Sequence, residues 1–350
     1  MLDKFPGSAR QFLSLESDIP IIATPRDPLV YEYQGALRQA TDQWASISTA
    51  AGATTVTPAD YMDLVVRLLN PDVAVLLSDD VPIDAKRARA STAVHRTVLW
   101  AKECIQKMKM KIDGGGGNSS QIALFAAIQG GSYPDLRKQC AESLIDCMPD
   151  LTGICIGGLG TGESPQLREE VVLQSIQEVP CEKARMVLGI GSPLDILEAI
   201  FLGIDVFDPA FYLSSLTAGG YALCFPLSLK PTDVERVTHG EGVPLNGGQG
   251  TRDDTKMNVW ALEYKLDSRP LVSGCPCLTC CSHTRAYVHH LLQTHEMSAQ
   301  VLLEAHNLVH YLRFFAAIRS FIAQSKLSEY YGMLREQKQR WVVGDWQDSV

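Results

Sequence analysis

The sequence predicts an α/β chain: a parallel sheet covered by helices on both faces, with a separate cysteine- and histidine-rich region toward the C-terminal end. Three observations predict it. Between residues 122 and 208, short continuous apolar runs alternate with amphipathic stretches of helical period. Glycines gather just after the apolar runs, at the strand ends where α/β folds place their ligands. Finally, Cys275, Cys277 and Cys280 stand within six residues of one another, a poor way to fill a core and a good way to hold a soft divalent metal.

Taken in order, residues 1–18 carry no strong pattern, and residues 19–23 read as a short buried strand. After a polar stretch, Thr57-Pro58-Ala59-Asp60 is a helix start, with Thr as N-cap and Pro in the first turn. Tyr61, Leu64, Val65, Leu68 and Leu69 then share one helical face. An apolar strand over 73–77 leads into the acidic turn Ser78-Asp79-Asp80. A long helix is predicted over 86–111, with Lys107, Lys109 and Lys111 as a solvated basic face. It ends in the glycine tract 114–118, a surface loop. Strand 122–128 runs into Gln129-Gly130-Gly131 and a helix over 134–147. Strand 151–156 runs into Gly157-Gly158-Leu159-Gly160-Thr161-Gly162-Glu163 and a helix over 167–177. Strand 185–189 runs into Ile190-Gly191-Ser192-Pro193 and a helix through Ala199, and strand 204–207 ends at Asp208.

None of these turns matches a phosphate-binding loop or a dinucleotide fingerprint, which argues against a nucleotide cofactor. Residues 230–256 are rich in Gly, Asp, Thr and Pro without periodicity, the pattern of a mobile insertion. Residues 257–265 are strand-like. Further on, Ser298 is the expected cap of a long helix whose apolar stripe is Val301, Leu302, Ala305, Leu308, Val309, Leu312, Phe315 and Phe321. From about Lys326 a weaker helix is expected, then a frayed end.

The chain's 350 residues can bury a large core, and 46% hydrophobic with 20% charged residues describes an ordinary globule. A formal net charge of -9 argues against a free-standing, non-specific nucleic-acid binder. It leaves room for local recognition or recognition shared with a partner. Ten cysteines and no signal peptide point to a reducing compartment. No apolar run approaches the length that spans a bilayer, so the chain reads as soluble.

The C-x-C-x-x-C turn supplies three ligands of a closed, structural zinc site, and the fourth must come from further on. Six of the eight histidines (His283, His289, His290, His295, His306 and His310) stand within the next thirty residues. Cys281 is a competing ligand, but neighbouring residues rarely point at one ion, and it reads as packing. Cys104, Cys140, Cys147, Cys155, Cys181 and Cys224 show no metal spacing and read as buried thiols. The bland reading of the cluster is reduced, buried cysteines beside a His-rich helix.

These residues resemble the tRNA-guanine transglycosylases. Cys275-x-Cys277-x-x-Cys280, with His306 twenty-six positions later, is similar to that family's zinc spacing, which selects His306 as fourth ligand. The run His283-Thr284-Arg285-Ala286-Tyr287-Val288-His289-His290 is similar to the family's (S/T)RAYxHHL signature. Residues 128–131 and 157–163 resemble its IQGG and GGLAVGE loops. The likeness runs from roughly residue 50 to 325. It implies a (β/α)8 TIM-like barrel with an inserted zinc-binding subdomain and one structural Zn2+. In domains, it implies a partial barrel over 1–228, a flexible insertion over 229–256, and the zinc subdomain with C-terminal helices over 257–350. Counting strands back from Asp208 gives six, so the barrel lacks its first two. The sequence is then either a truncated product or a barrel open along that edge, with weakened stability unless a partner covers it.

The resemblance also implies exchange of the wobble guanine of GUN-anticodon tRNAs, with queuine as the incoming base in eukaryotes. Such exchange passes through an oxocarbenium-like state: one carboxylate attacks C1′ and a second group handles protons. Asp208 aligns with the family's nucleophile, and Gln129, Gly158 and Leu159 align with base-contacting positions. Three departures stand out. Thr24-Pro25-Arg26-Asp27 replaces the Asp-Ser-Gly-Gly motif of the second carboxylate. Ser78 takes the place of the base-recognising Asp, with Asp79 and Asp80 out of register. Pro209 to Ser214 replace a stretch that carries an anticodon-contacting arginine. These losses match the family's non-catalytic accessory branch. That branch implies a catalytic queuine tRNA-ribosyltransferase partner in a heterodimer, tRNA gripped by the dimer, and queuine as a candidate ligand. It also implies a cytoplasmic protein, with peripheral association with the mitochondrial outer membrane. The alternative is an active transglycosylase that uses Asp208 as nucleophile, with Asp79 or Asp80 as the second carboxylate.

Overall fold

The structure is a computed structural model that describes residues 4–25, 40–49, 52–113, 122–160, 162–229 and 255–343. The glycine tract 114–118, Arg26, Asp27, Thr161, the insertion from 230 to 254 and the tail from 344 lie outside the described residues. The chain forms two compact units, one of residues 1–190 with 198–208, the other of residues 191–197 with 209–350.

The first unit begins with the short helix α1 (Ala9–Phe12), closed by a capping box between Ser8 and Gln11. Strand β1 (Ile22–Ala23) is shorter than the predicted 19–23 and not buried as expected: Ile19 and Ile22 are exposed and only Ala23 is buried, as suits the edge of the sheet. The polar stretch that follows contains an unforeseen antiparallel hairpin, β2 (Ala45–Thr49) and β3 (Gly52–Val56). Helix α2 (Pro58–Leu64) starts where predicted: Thr57 accepts from the Asp60 amide, and the Asp60 carboxylate accepts in return from the Thr57 amide. One wide turn over Val65–Leu69 extends it to Asn70, whose φ of 43° ends it.

Strand β4 (Val73–Val75), helix α3 (Arg87–Asp113), strand β5 (Ala123–Ile128) and helix α4 (Pro134–Ser143) follow. Pro149 and the 3-10 turn Ile145–Asp150 cut α4 short of the predicted 147. Strand β6 (Gly153–Ile156), helix α5 (Pro165–Ile176), strand β7 (Ala184–Leu188), helix α6 (Pro193–Phe201) and strand β8 (Val206–Asp208) complete the alternation.

The six strands β1-β4-β5-β6-β7-β8 lie side by side in sequence order, all parallel, as consecutive strands of a TIM-like barrel do. Six is the number read from the sequence. Strands β5 and β6 are buried at every position but Ala123, as strands covered on both faces must be. Val75, Phe125, Cys155 and Met186 form one face's core, joined by Leu188 and Val206. Asp208 is two residues beyond Val206 and in register with Leu188, so it belongs to the same face at the C-terminal rim.

The second unit holds helix α7 (Ala210–Ala218), which the sequence reading left unassigned, and strands β9 (Tyr221–Leu223) and β10 (Lys256–Asn258), paired antiparallel. Only the first part of the strand-like run 257–265 pairs; a 3-10 turn at Leu262–Tyr264 ends it. Helices α8 (Leu278–Ser282), α9 (Arg285–Gln293), α10 (Met297–Ala323) and α11 (Leu327–Val343) follow.

Two expectations for α10 are corrected. Its N-cap is Glu296, not Ser298, and it makes no side-chain cap bond. Its buried face is also rotated from the apolar stripe: Val301, Leu308 and Leu312 are exposed, while His306, Asn307 and His310 are buried. The cause is the polar main chain of β9 and of Phe225 just after it. His306 Nε2 donates to Leu223 O (2.8 Å), His310 Nε2 to Phe225 O (3.1 Å), and Asn307 both accepts from Leu223 N and donates to Tyr221 O. Main-chain groups buried here require polar partners, and α10 turns its polar side chains inward to supply them.

Candidate functional site

In the second unit, Cys275, Cys277, Cys280 and His306 converge, their ligand atoms all within 4.8 Å of one another. Short-range chemistry shapes the turn: Cys277 caps α8, its sulfur accepting from the Cys280 amide, and so brings two thiols to one side. Arg285 holds the approach to the cluster, bonding the carbonyls of Pro270 and Leu271 and the Asp267 carboxylate. Its neighbour in the signature, His289, spends Nδ1 on Val259 O (2.9 Å). Those two signature residues are therefore supports for the turn.

The His306 ring is oriented from behind. Leu223 O can only accept, so Nε2 carries the proton there and Nδ1 faces the sulfurs at 3.8, 3.5 and 3.3 Å. A tetrahedral zinc, with Zn–S near 2.3 Å and Zn–N near 2.0–2.1 Å, would set each N···S pair about 3.5 Å apart. The donor set fits that ion.

The electrostatics agree. Hydrogen bonds from Cys280 and His306 pull Cys275 down to about 3, and the same shared proton pushes Cys280 far above the thiol range. Burial would lower His306, but the adjacent sulfurs of Cys275 and Cys277 outweigh it and raise the ring to about 9. Three crowded sulfurs cannot all be thiolates without a cation among them. His310, one turn on, is held neutral by burial, with its affinity for a proton lowered to about 3, and Nε2 is engaged with Phe225 O. Cys281 is exposed and its sulfur lies near Cys275 O instead. Of the cysteines outside the cluster, Cys181 is exposed, contrary to expectation, whereas Cys104, Cys140, Cys147, Cys155 and Cys224 are buried.

In the first unit, a small, narrow cleft sits at the C-terminal ends of the strands. Thr24, Pro25, Ser78, Asp80, Cys155 and the Gly157–Gly158 pair are among its lining residues. Asp80 and Asp208 both act electrostatically on Cys155, whose thiol burial has already pushed well above its usual range. Asp80 Oδ1 accepts from Ser78 Oγ (2.8 Å) and from Gln129 Nε2. Gln129 is wholly buried, and its Oε1 has no hydrogen-bond partner among the described residues. Gly158 lines the cleft, while Leu159 is buried outside the lining. Asp79 turns away, its carboxylate paired bidentately with Arg89 and touched by Arg96. The acidic turn thus offers the cleft one carboxylate, Asp80. Which of its two acids faces inward depends on the fit of Arg89 and Arg96, which no spacing reveals.

The glycines of the two loops are there for space. A Cβ on Gly157 would stand 2.2 Å from Gln129 Nε2, and one on Gly160, at φ +77°, would stand 2.5 Å from Gly189 O. Glu163 closes the second loop, accepting from the Gly160 amide (3.0 Å) and Arg168 Nε (2.9 Å). Of the basic face on α3, Lys109 is paired with Asp150.

The family model described as Queuine tRNA-ribosyltransferase matches residues 6–340. Among curated proteins, the chain is similar to the Queuine tRNA-ribosyltransferase of Gloeobacter violaceus, 33% identical over 261 residues, covering 75% of this chain and 60% of that protein. It is similar to the Queuine tRNA-ribosyltransferase accessory subunit 2 of Danio rerio, 28% identical over 358 residues, covering 97% of this chain and 82% of that protein. The accessory subunit 2 of Aedes aegypti is 31% identical over 300 residues, covering 83% and 66% respectively. The match spans about three fifths of the length of the bacterial relatives.

Proposed function

Because the chain belongs to the queuine tRNA-ribosyltransferase family, we propose that it is the non-catalytic accessory subunit of a heterodimeric queuine tRNA-ribosyltransferase. In this role it supports exchange of the wobble guanine of GUN-anticodon tRNAs for queuine, and a catalytic partner carries out the chemistry. The observation that carries the reading is the composition of the cleft. Thr24 and Pro25, which stand where the family's second catalytic carboxylate is expected, themselves line it. Base exchange needs a nucleophile and a proton-handling group, and neither a proline nor a threonine serves as the latter.

The metal belongs to the same proposal. Cys275, Cys277, Cys280 and His306 would hold one Zn2+, which when bound supplies a cross-link and no chemistry, since four protein ligands close the site. The four ligands tie the α8 turn to α10. On α10, Met297, Val301, Leu308 and Leu312 form an exposed apolar row, which suits docking of the catalytic subunit. The division at 228 and 256 into barrel, insertion and zinc subdomain is proposed with it. Residence in the cytoplasm, peripheral to the mitochondrial outer membrane, is proposed as well; among the described residues no helix is long and apolar enough to cross a membrane.

One observation favours a second reading, an active transglycosylase with Asp208 as nucleophile: Asp80 does line the cleft. Its Oδ1 is already engaged by Ser78 and Gln129, an arrangement for holding a group in place more than for moving a proton. The test is guanine exchange into tRNA with this chain alone, with a catalytic partner alone, and with both. Activity confined to the mixture is expected; turnover by this chain alone, abolished by Asp208→Ala, establishes the second reading.

A further inference from the structure

Gly157 and Gly158, from the loop 157–160 after β6, line the cleft in the first unit, and the loop 129–131 after β5 packs against them through Gln129. Behind both lies one side chain that takes no part in the cleft's lining. Arg137, on the first turns of α4, is wholly buried. Its Nε donates to Gly131 O (2.7 Å) and its Nη2 to Gly157 O (3.0 Å). Nη1 faces Ile128 O (3.5 Å) and Ser175 Oγ (3.4 Å). A guanidinium keeps its charge at any ordinary pH and is costly to bury, so the carbonyls turned toward it are there for a reason.

The peptide between Gly157 and Gly158 is where this matters. In a trans peptide the carbonyl and the N–H point in opposite directions. With Gly157 O drawn to Arg137, the Gly158 N–H is on the other side of the plane, and both residues line the cleft. The residues on either side of that plane are glycines, one at φ +79°, and glycine imposes no preference of its own on how such a plane turns. The Gln129 amide packs on the same spot, since a Cβ on Gly157 would meet it at 2.2 Å, and Gln129 in turn bonds Asp80. Gly130 brings its loop against the Arg137 backbone, where a Cβ would lie 2.8 Å from the Arg137 nitrogen.

We infer that Arg137 is the positioning residue of this cleft: its buried guanidinium fixes the orientation of the Gly157–Gly158 peptide and joins the two loops into one piece, on which Gln129 is seated and through which Gln129 holds the cleft-lining Asp80. The inference uses the geometry of the first unit alone and holds whichever function is correct.

The test needs no ligand, because Cys155 lines the cleft and reports on it. In the full chain, Arg137→Met removes the donors and keeps the volume, and Arg137→Lys keeps the charge without the fork. Alkylation of Cys155 is compared with that of Cys104, a buried thiol of the same unit away from the cleft, and amide hydrogen exchange is followed over 128–131 and 156–160. Arg137→Met should speed Cys155 alkylation by about tenfold or more, with Cys104 changed by less than about twofold, and Arg137→Lys should fall between. Both loops should lose protection together. Equal acceleration of Cys104 would mean general loosening and overturn the inference, as would a response in one loop alone or in neither. If Arg137→Met does not fold, exchange in the unaltered chain decides. The two loops then open with one common rate if Arg137 joins them, and separate rates refute it.

Discussion

Cys280 and Cys281 are neighbours in sequence with opposite surroundings. The Cys277 cap and the α8 turn aim one sulfur at His306 Nδ1, 3.3 Å away, and leave the other exposed. Metal content should follow that geometry. Cys277→Ser and His306→Ala are expected to reduce bound zinc from one ion per chain to none, while Cys281→Ser leaves it unchanged, as measured by elemental analysis of the purified protein. Because a structural zinc contributes on the order of 10 kcal/mol to folding, the two ligand variants should also unfold at much lower denaturant. Well-folded chain without metal would refute the assignment. A second residue-scale prediction concerns Glu163. Burial alone would raise its carboxyl, but the hydrogen bonds from Arg168 and the Gly160 amide outweigh it and hold the group below its ordinary value of 4.5. The stability so gained is fully present above that value and is lost as pH falls through the lower folded value. Acidification should therefore loosen the 157–163 loop of the unaltered chain more steeply than that of Glu163→Gln, measured by hydrogen exchange across the acid range. Parallel pH profiles would show that the carboxylate contributes nothing.

At the scale of elements, the strand-end loops are held by contacts too close for any side chain. Gly160→Ala combines a left-handed backbone with a collision against Gly189 O, and should cost about 2 kcal/mol or more by chemical denaturation. An unchanged midpoint would mean that the loop has room to move. Helix α10 shows the same logic in reverse. Its inward face is chosen by the carbonyls of Leu223 and Phe225 and the amide of Leu223, which need partners, and the helix rotates until His306, Asn307 and His310 meet them. An apolar row is left facing outward as the consequence.

That row carries the prediction at the scale of the whole molecule. If the chain functions as an accessory subunit docked through α10, Leu312→Asp should abolish co-purification with the catalytic partner and lose exchange activity in the mixture. Zinc content and helical circular dichroism should stay unchanged, because the side chain is 61% exposed and contributes little to the fold. Retained association would move the docking surface elsewhere.

Sequence alone makes legible the alternation of six parallel strands, the capped start of α2, the close grouping of Cys275, Cys277 and Cys280, and the place of Asp208 at a strand end. All of these follow from local period, local capping or close spacing, which physics reads within a few residues. It misjudged the buried face of α10, passed over the hairpin and α7, and could not say which acid of Ser78-Asp79-Asp80 faces the cleft. Those depend on groups apart in the chain: Arg89 and Arg96 claim Asp79, Gln129 claims Asp80, and the carbonyls of Leu223 and Phe225 claim His306 and His310. A buried polar group goes where its hydrogen-bond partner is, and only the tertiary structure places that partner.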